Sequence, residues 1–226
     1  MPDLLYIDIE TRSNPDMLPF LPAFTQPTES DAPPSAKSSP SKLQRWLGEE
    51  MERRKKRVEE AVEKMPLDVD YCRIVALGMA SDDWTNEVMT ASCDDEEIAL
   101  LKMFWQQILS QHTRPCGYNI LSFDLPILLR RSWVLGVTPT KYLDLRRYST
   151  VYTVDLMQVF YNWGAAPGPT RGLKAVAAMY GIENPCPDVD GSDVAMMSVD
   201  ELKTYCANDV RMTRELAQRT KGWYWR

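Results

Sequence analysis

The chain opens on an apolar run, Leu4-Leu5-Tyr6-Ile7, and the next comparable run, Arg73-Ile74-Val75-Ala76-Leu77-Gly78-Met79, comes only after a long polar interruption. Both read as buried strands, Leu4 to Ile9 and Arg73 to Met79, and Glu87-Val88-Met89-Thr90 reads as a third. Whatever lies between the first two must therefore be inserted into a sheet. Residues 14–42 are rich in Pro, Ser and Thr, including Pro33-Pro34 and Ser38-Ser39-Pro40, a composition that favours extended, mobile chain. Ser41 to Met65 changes character. Leu43, Leu47 and Met51 recur at fourfold spacing, Val58, Val62 and Met65 continue the stripe, and Glu49/Arg53, Glu50/Arg54 and Glu60/Lys64 pair at i,i+4. This predicts a projecting charged helix that ends at Pro66.

Beyond the third strand the pattern predicts a helix over Asp95 to Gln111, with Ile98, Leu101, Trp105, Ile108 and Leu109 on its buried face. A short strand over Arg114 to Tyr118 follows, then a turn, and then a helix from Asp124 to Leu135 with Pro126 in its first turn. Thr153 to Leu156 reads as a short strand leading into a helix, Gly172 to Tyr180 and Val199 to Arg219 as helices, and Gly181 as a C-cap. This order gives an α/β domain with a central sheet, whose strand order the pattern leaves open.

The chain has 226 residues, enough for one α/β domain with an accessory element. No apolar run approaches the roughly 18 residues of a membrane span, so no membrane association is expected. Asp8 and Glu10 follow the first apolar run too soon for a signal peptide. Five scattered cysteines without a CxxC pair argue against a disulfide framework or a thiolate zinc site and fit the cytoplasm. The net charge of -6 is unfavourable for phosphate contacts, but it is uneven. Arg130, Arg131, Lys141, Arg146, Arg147, Arg171 and Lys174 face only Asp144 and Asp155 over their stretch, a basic region suited to a phosphate backbone or to plain solvation.

Three acidic elements stand out. Asp8 and Glu10, two apart on a strand, project to one face, and a pair of hard oxygen donors suits Mg²⁺ or Mn²⁺. Asp124 closes Asn119-Ile120-Leu121-Ser122-Phe123-Asp124 at the junction of a turn and a helix, where an Asp commonly serves as an N-cap. Tyr205 and Asp209 stand at i,i+4 on one helical face. Each alone also reads as an ordinary strand end, cap or solvated acid. Asp155, after its short strand, reads as structural, and His112 as a surface helix residue.

Their order and spacing change the reading. With Tyr6-Ile7-Asp8-Ile9-Glu10-Thr11, Gly117-Tyr118-Asn119 through Phe123-Asp124-Leu125-Pro126, Asp188 to Val194, and Tyr205-Cys206-Ala207-Asn208-Asp209-Val210, the chain resembles the DEDD superfamily of 3′-5′ exonucleases. It resembles the tyrosine-bearing branch, close to the proofreading domain of family B DNA polymerases and its stand-alone phage and bacterial relatives. The histidine-bearing branch would need His where Thr204 stands. The resemblance covers residues 3–13 and 67–217 and implies a ribonuclease-H-like α/β fold, with a five-stranded mixed central sheet flanked by helices. The whole chain, 1–226, is then one exonuclease domain, with 14–65 inserted as a flexible loop and charged helix between the first two strands. That insertion is expected to serve a substrate or a replication or repair partner.

The resemblance also implies two divalent ions, Mg²⁺ or Mn²⁺, held by Asp8, Glu10, Asp124 and Asp209, with Asp8 bridging and Tyr205 orienting the attacking water. Such a pair polarises the scissile phosphate and stabilises the attacking and leaving oxygens. Asn119, Phe123, Arg171, Lys174 and Ser192 are the expected substrate contacts. The implied activity is removal of nucleoside 5′-monophosphates from a single-stranded or frayed DNA 3′ end, in proofreading or repair. A 3′-5′ exoribonuclease and a non-catalytic nucleic-acid or polymerase-binding module remain as alternatives.

Overall fold

The computed structural model describes residues 4–84, 86–108 and 113–224, without the side chains of the last four. The chain divides into two compact units, 13–72 and the remainder. Leu109 to Gln111 of the expected second helix, and His112, lie outside the described residues.

The larger unit is built on β1 (Leu4–Ser13), β2 (Cys72–Ala80), β3 (Glu87–Thr90), β4 (Arg114–Gly117) and β5 (Val154–Asp155), arranged in the order β3-β2-β1-β4-β5. The sheet is mixed: β1 and β4 are parallel, β4 and β5 are parallel, and β2 and β3 are antiparallel. β1 is central, which explains why Leu4, Leu5, Tyr6 and Ile7 are all buried rather than alternating with polar residues. It also runs beyond its apolar segment to Ser13, so Asp8 and Glu10 lie within the strand and not at its end.

Helices cover the sheet: α2 (Asp94–Gln107), α3 (Asp124–Val134), α4 (Leu156–Phe160), α5 (Leu173–Met179) and α6 (Val199–Tyr224), while α1 (Pro40–Lys64) belongs to the other unit. Gly181, at φ 66°, follows the end of α5 as expected of a C-terminal glycine. α6 approaches the sheet so closely at Gly78 that a Cβ there would stand 2.6 Å from Val210 Cγ2 and 2.9 Å from Cys206 Sγ. Only a glycine admits that contact, which brings the Tyr205 to Asp209 turn down onto the strands.

The expected face of α2 needs correcting. Ile98 is only half-buried, whereas Glu97, Leu100, Leu101, Phe104 and Trp105 are buried. Glu97 is fully enclosed because it accepts Arg131 Nε at 2.7 Å, Arg131 Nη2 at 2.8 Å and the backbone N–H of Ile74 at 3.0 Å. Arg131 therefore joins α3 to α2 and β2 and offers no charge to a phosphate, contrary to its place in the basic stretch. Arg146 pairs with Asp144 at 2.6 Å, but its side chain is 74% exposed and it stays on the basic surface.

In the smaller unit, residues 14–42 form three short 3-10 turns, Pro15–Phe20, Glu29–Asp31 and Ala36–Ser38. The long helix α1 (Pro40–Lys64) follows, with Ser39 capping the N–H of Lys42 and Pro40 in its first turn. Among the described residues no helix is long and apolar enough to cross a membrane.

Candidate active site

The acids gather where the parallel strands β1, β4 and β5 present their C-terminal portions, the position at which open α/β sheets form their crevices. Asp8 and Glu10 come from β1, and a carboxylate oxygen of each lies within 4.8 Å of the other. Asp124, at the start of α3, is not the N-cap that an Asp before a helix suggests. Its Oδ1 accepts the backbone N–H of Ile9 at 3.1 Å, tying α3 to β1 between the two strand acids. Asp209 comes from α6, one turn after Tyr205, which helps to hold its pKa down.

Asp155 has the structural role read for it. Its oxygens accept the N–H groups of Asn119 and Leu121, each at 3.1 Å, and of Gln158 at 3.2 Å. It thereby shapes the turn that delivers Asp124, in which Asn119 adopts φ 65°.

The four acids perturb one another. Burial, then Glu10, Asp209 and Asp124, push the Asp8 carboxyl well above its ordinary range. Burial, then Asp209 and Asp124, raise Glu10 to about 8, against the opposing effects of the neighbouring Asp8 side chain and of Lys174. Burial raises Asp124 to about 7 despite the Ile9 N–H, and Asp209 to about 6 despite Lys174 and Tyr205. Two carboxylate oxygens, Asp8 Oδ2 and Asp209 Oδ1, are buried with no hydrogen-bond partner among the described residues. Clustered hard oxygen donors, mutually repelling and partly unpartnered, fit a divalent cation.

Lys174, at the start of α5, does not project freely. Its Nζ donates to Tyr205 Oη at 3.0 Å, also to the carbonyl of Val189, and stands 4.3 Å from the Tyr205 ring centroid. Burial and the three acids Asp209, Glu10 and Asp8 drive the Tyr205 pKa upward, so the phenol keeps its proton. The remaining expected contacts make no hydrogen bond to the four acids among the described residues. Asn119 and Phe123 are half-buried on the turn before α3, and Arg171 is exposed, its carbonyl accepting Tyr118 Oη at 2.5 Å. Ser192 is exposed and closes its own turn onto Asp190 Oδ1 at 2.6 Å.

Sequence reasoning missed Cys206, whose Sγ lies within 4.8 Å of ligand oxygens of Asp8 and Glu10 and bonds the Asp8 carbonyl at 3.6 Å. Burial and the surrounding acids hold its pKa far up, so it remains a thiol and a poor cation ligand. Its only sequence signal was its place beside Tyr205. Also unanticipated was Arg12, which donates to the carbonyls of Val194 at 2.9 Å and Met197 at 2.8 Å and anchors the turn before α6.

A stability prediction follows from these raised acids. The cation-free native state keeps protons that the unfolded chain sheds near pH 4. Their contribution is thus fully present at low pH and is lost as pH rises through about 6, 7 and 8. In thermal unfolding with EDTA, the melting temperature should fall over that interval, while millimolar Mn²⁺ should remove most of the fall. Parallel curves with and without Mn²⁺ would contradict the assignment.

Comparison with known proteins sets this geometry in context. Residues 66–219 match a family described as a predicted 3′-5′ exonuclease related to the exonuclease domain of PolB. No curated protein matches the chain. Among solved structures, the family B DNA polymerase of the hyperthermophilic archaeon Pyrobaculum calidifontis aligns with a TM-score of 0.57 at 22% identity. The alignment covers 98% of this chain and 25% of the polymerase, so the chain spans about a quarter of that protein's length. The likeness shows a shared fold, the ribonuclease-H-like arrangement of a mixed five-stranded sheet flanked by helices.

Proposed function

Because the chain belongs to the predicted 3′-5′ exonucleases related to the exonuclease domain of PolB, we propose that its acidic cluster removes nucleoside 5′-monophosphates from a single-stranded or frayed DNA 3′ end. The observation that carries this reading is the close pair Asp8 and Glu10, within 4.8 Å, beside Asp124 and Asp209, whose charges act on both, with two buried oxygens lacking partners among the described residues. When bound, two divalent ions, Mg²⁺ or Mn²⁺, held by these four residues supply charge neutralisation and polarisation of the scissile phosphate.

The chain's own groups do the positioning. Tyr205 keeps its proton at working pH, so it orients the attacking water by hydrogen bonding and does not act as the base. Lys174 fixes the phenol through its hydroxyl and places positive charge beside the acids, where it also meets a substrate phosphate. Asn119 and Phe123, on the turn that delivers Asp124, and Arg171 and Ser192, on exposed segments, are proposed to contact the strand.

Oligonucleotides labelled at the 3′ end, as single-stranded DNA, fully paired duplex and RNA, test the substrate. Labelled mononucleotide should appear fastest from single-stranded DNA in Mg²⁺ or Mn²⁺. Faster release from RNA would instead assign an exoribonuclease. In the same assay Tyr205→Phe should lower turnover at least about tenfold with unchanged cation dependence, since it loses only the orienting hydroxyl. Wild-type turnover in that variant would remove Tyr205 from the mechanism.

A further inference from the structure

The family match begins at residue 66 and leaves α1 without a task. None of the residues of this helix is buried. Leu43, Leu47, Met51 and Val58 are half-buried along one face, and Arg54 beside them pairs with Glu50 at 2.9 Å and Asp31 at 3.2 Å.

The other charges are not mixed at random. At about 100° per residue, Lys42, Trp46, Arg53, Arg57 and Lys64 fall within about 60° of arc, on an edge roughly 33 Å long. The four cations are exposed and the indole is half-buried. Glu49, Glu52, Glu59 and Glu63 fall on the adjoining edge, with Arg45 and Lys56 among them, so the helix carries a predominantly cationic edge beside a predominantly acidic one. Arg53 engages Glu50 at 3.1 Å with its side chain 59% exposed, a surface pair weak enough to exchange for another anion. Glu60, which lies on the cationic edge, is met by Lys56 at 3.7 Å.

We propose that this edge of α1 grips the phosphodiester backbone of a single-stranded nucleic acid. Lys42 with Trp46, and Arg53 with Arg57, are each separated by about 6 Å along the axis. The Arg53–Arg57 step lets two cations meet successive phosphates, while Trp46, one such step from Lys42, offers its indole face to a base. The identity of the strand as substrate rests on the nuclease reading above, whereas the grip itself does not.

The test uses the full chain with Lys42→Gln, Arg53→Gln, Arg57→Gln and Lys64→Gln combined, with helicity checked by circular dichroism. A control combines Arg45→Gln and Lys55→Gln, from other sides of the helix. Affinity for a 3′-blocked oligothymidylate of about 20 nucleotides is measured against NaCl concentration, beside cleavage of a dinucleotide. The four-site variant should bind about tenfold more weakly at low salt. Its salt slope should fall by about 2 to 3, while dinucleotide turnover stays unchanged. The control should change affinity less than twofold. Unchanged affinity and slope in the four-site variant would overturn the proposal, as would an equal loss in the control or a preference for anionic vesicles over the oligonucleotide. Failure of the wild type to cleave the dinucleotide would count against the nuclease reading alone, because the binding measurement needs no cleavage.

Discussion

Asp8→Ala should lower turnover by at least about 10²-fold, equivalent to about 2.7 kcal/mol of transition-state stabilisation, with the fold retained. Asp8 is the carboxyl on which Glu10, Asp209 and Asp124 all act, and its Oδ2 lies buried without a partner among the described residues. Removing it takes away the donor common to the cluster and with it several kcal/mol of cation-assisted charge stabilisation. It also relieves repulsion among the other acids, so the cation-free variant should melt at or above the wild-type temperature. Steady-state cleavage and thermal unfolding of the same preparation check both parts. A variant that is inactive only because it is unfolded would contradict the stability half.

Glu97→Ala should destabilise the protein by about 3 to 5 kcal/mol, the usual cost of stripping one partner from a buried ion pair. Glu97 is 0% exposed and Arg131 3%, and the same carboxylate also satisfies the Ile74 N–H. The loss takes the carboxylate from an enclosed guanidinium and a strand N–H together. Because this pair fixes α3, whose first residue is Asp124, cleavage should become heat-sensitive well below the wild-type limit. Glu97→Leu combined with Arg131→Met should recover most of the stability, since apolar replacement of both partners is commonly near neutral. Urea unfolding of the three proteins measures the difference, and a loss under about 1 kcal/mol in Glu97→Ala would show the pair to be dispensable.

This ion pair also marks the limit of what could be read in the sequence. Glu97 sits among Asp94, Asp95 and Glu96 in the first turn of α2, where acids normally complement the helix dipole from the surface. Nothing local distinguishes the enclosed one, because its burial depends on a guanidinium 34 positions away. The strands were legible for the opposite reason: β3 is bounded at Glu87 and Thr90 as expected, and β1 and β2 carry uninterrupted apolar runs. The acid spacing on β1 and α6 was legible because side-chain periodicity is local. Lys174 was noticed as a base, but its grip on Tyr205 arises from the packing of α5 beside α6, which no spacing reveals. The strand order required the structure for the same reason.

The carboxyl cluster is proposed to hydrolyse a strand stepwise from its 3′ end and to need a divalent cation to do so. A 5′-labelled single-stranded oligonucleotide, incubated with EDTA-treated protein before and after addition of Mn²⁺ and resolved over time, tests it directly. No change is expected in EDTA and, with Mn²⁺, a ladder should appear that shortens one nucleotide at a time from the 3′ end. Internal cuts without such a ladder, or equal shortening in EDTA, would contradict it.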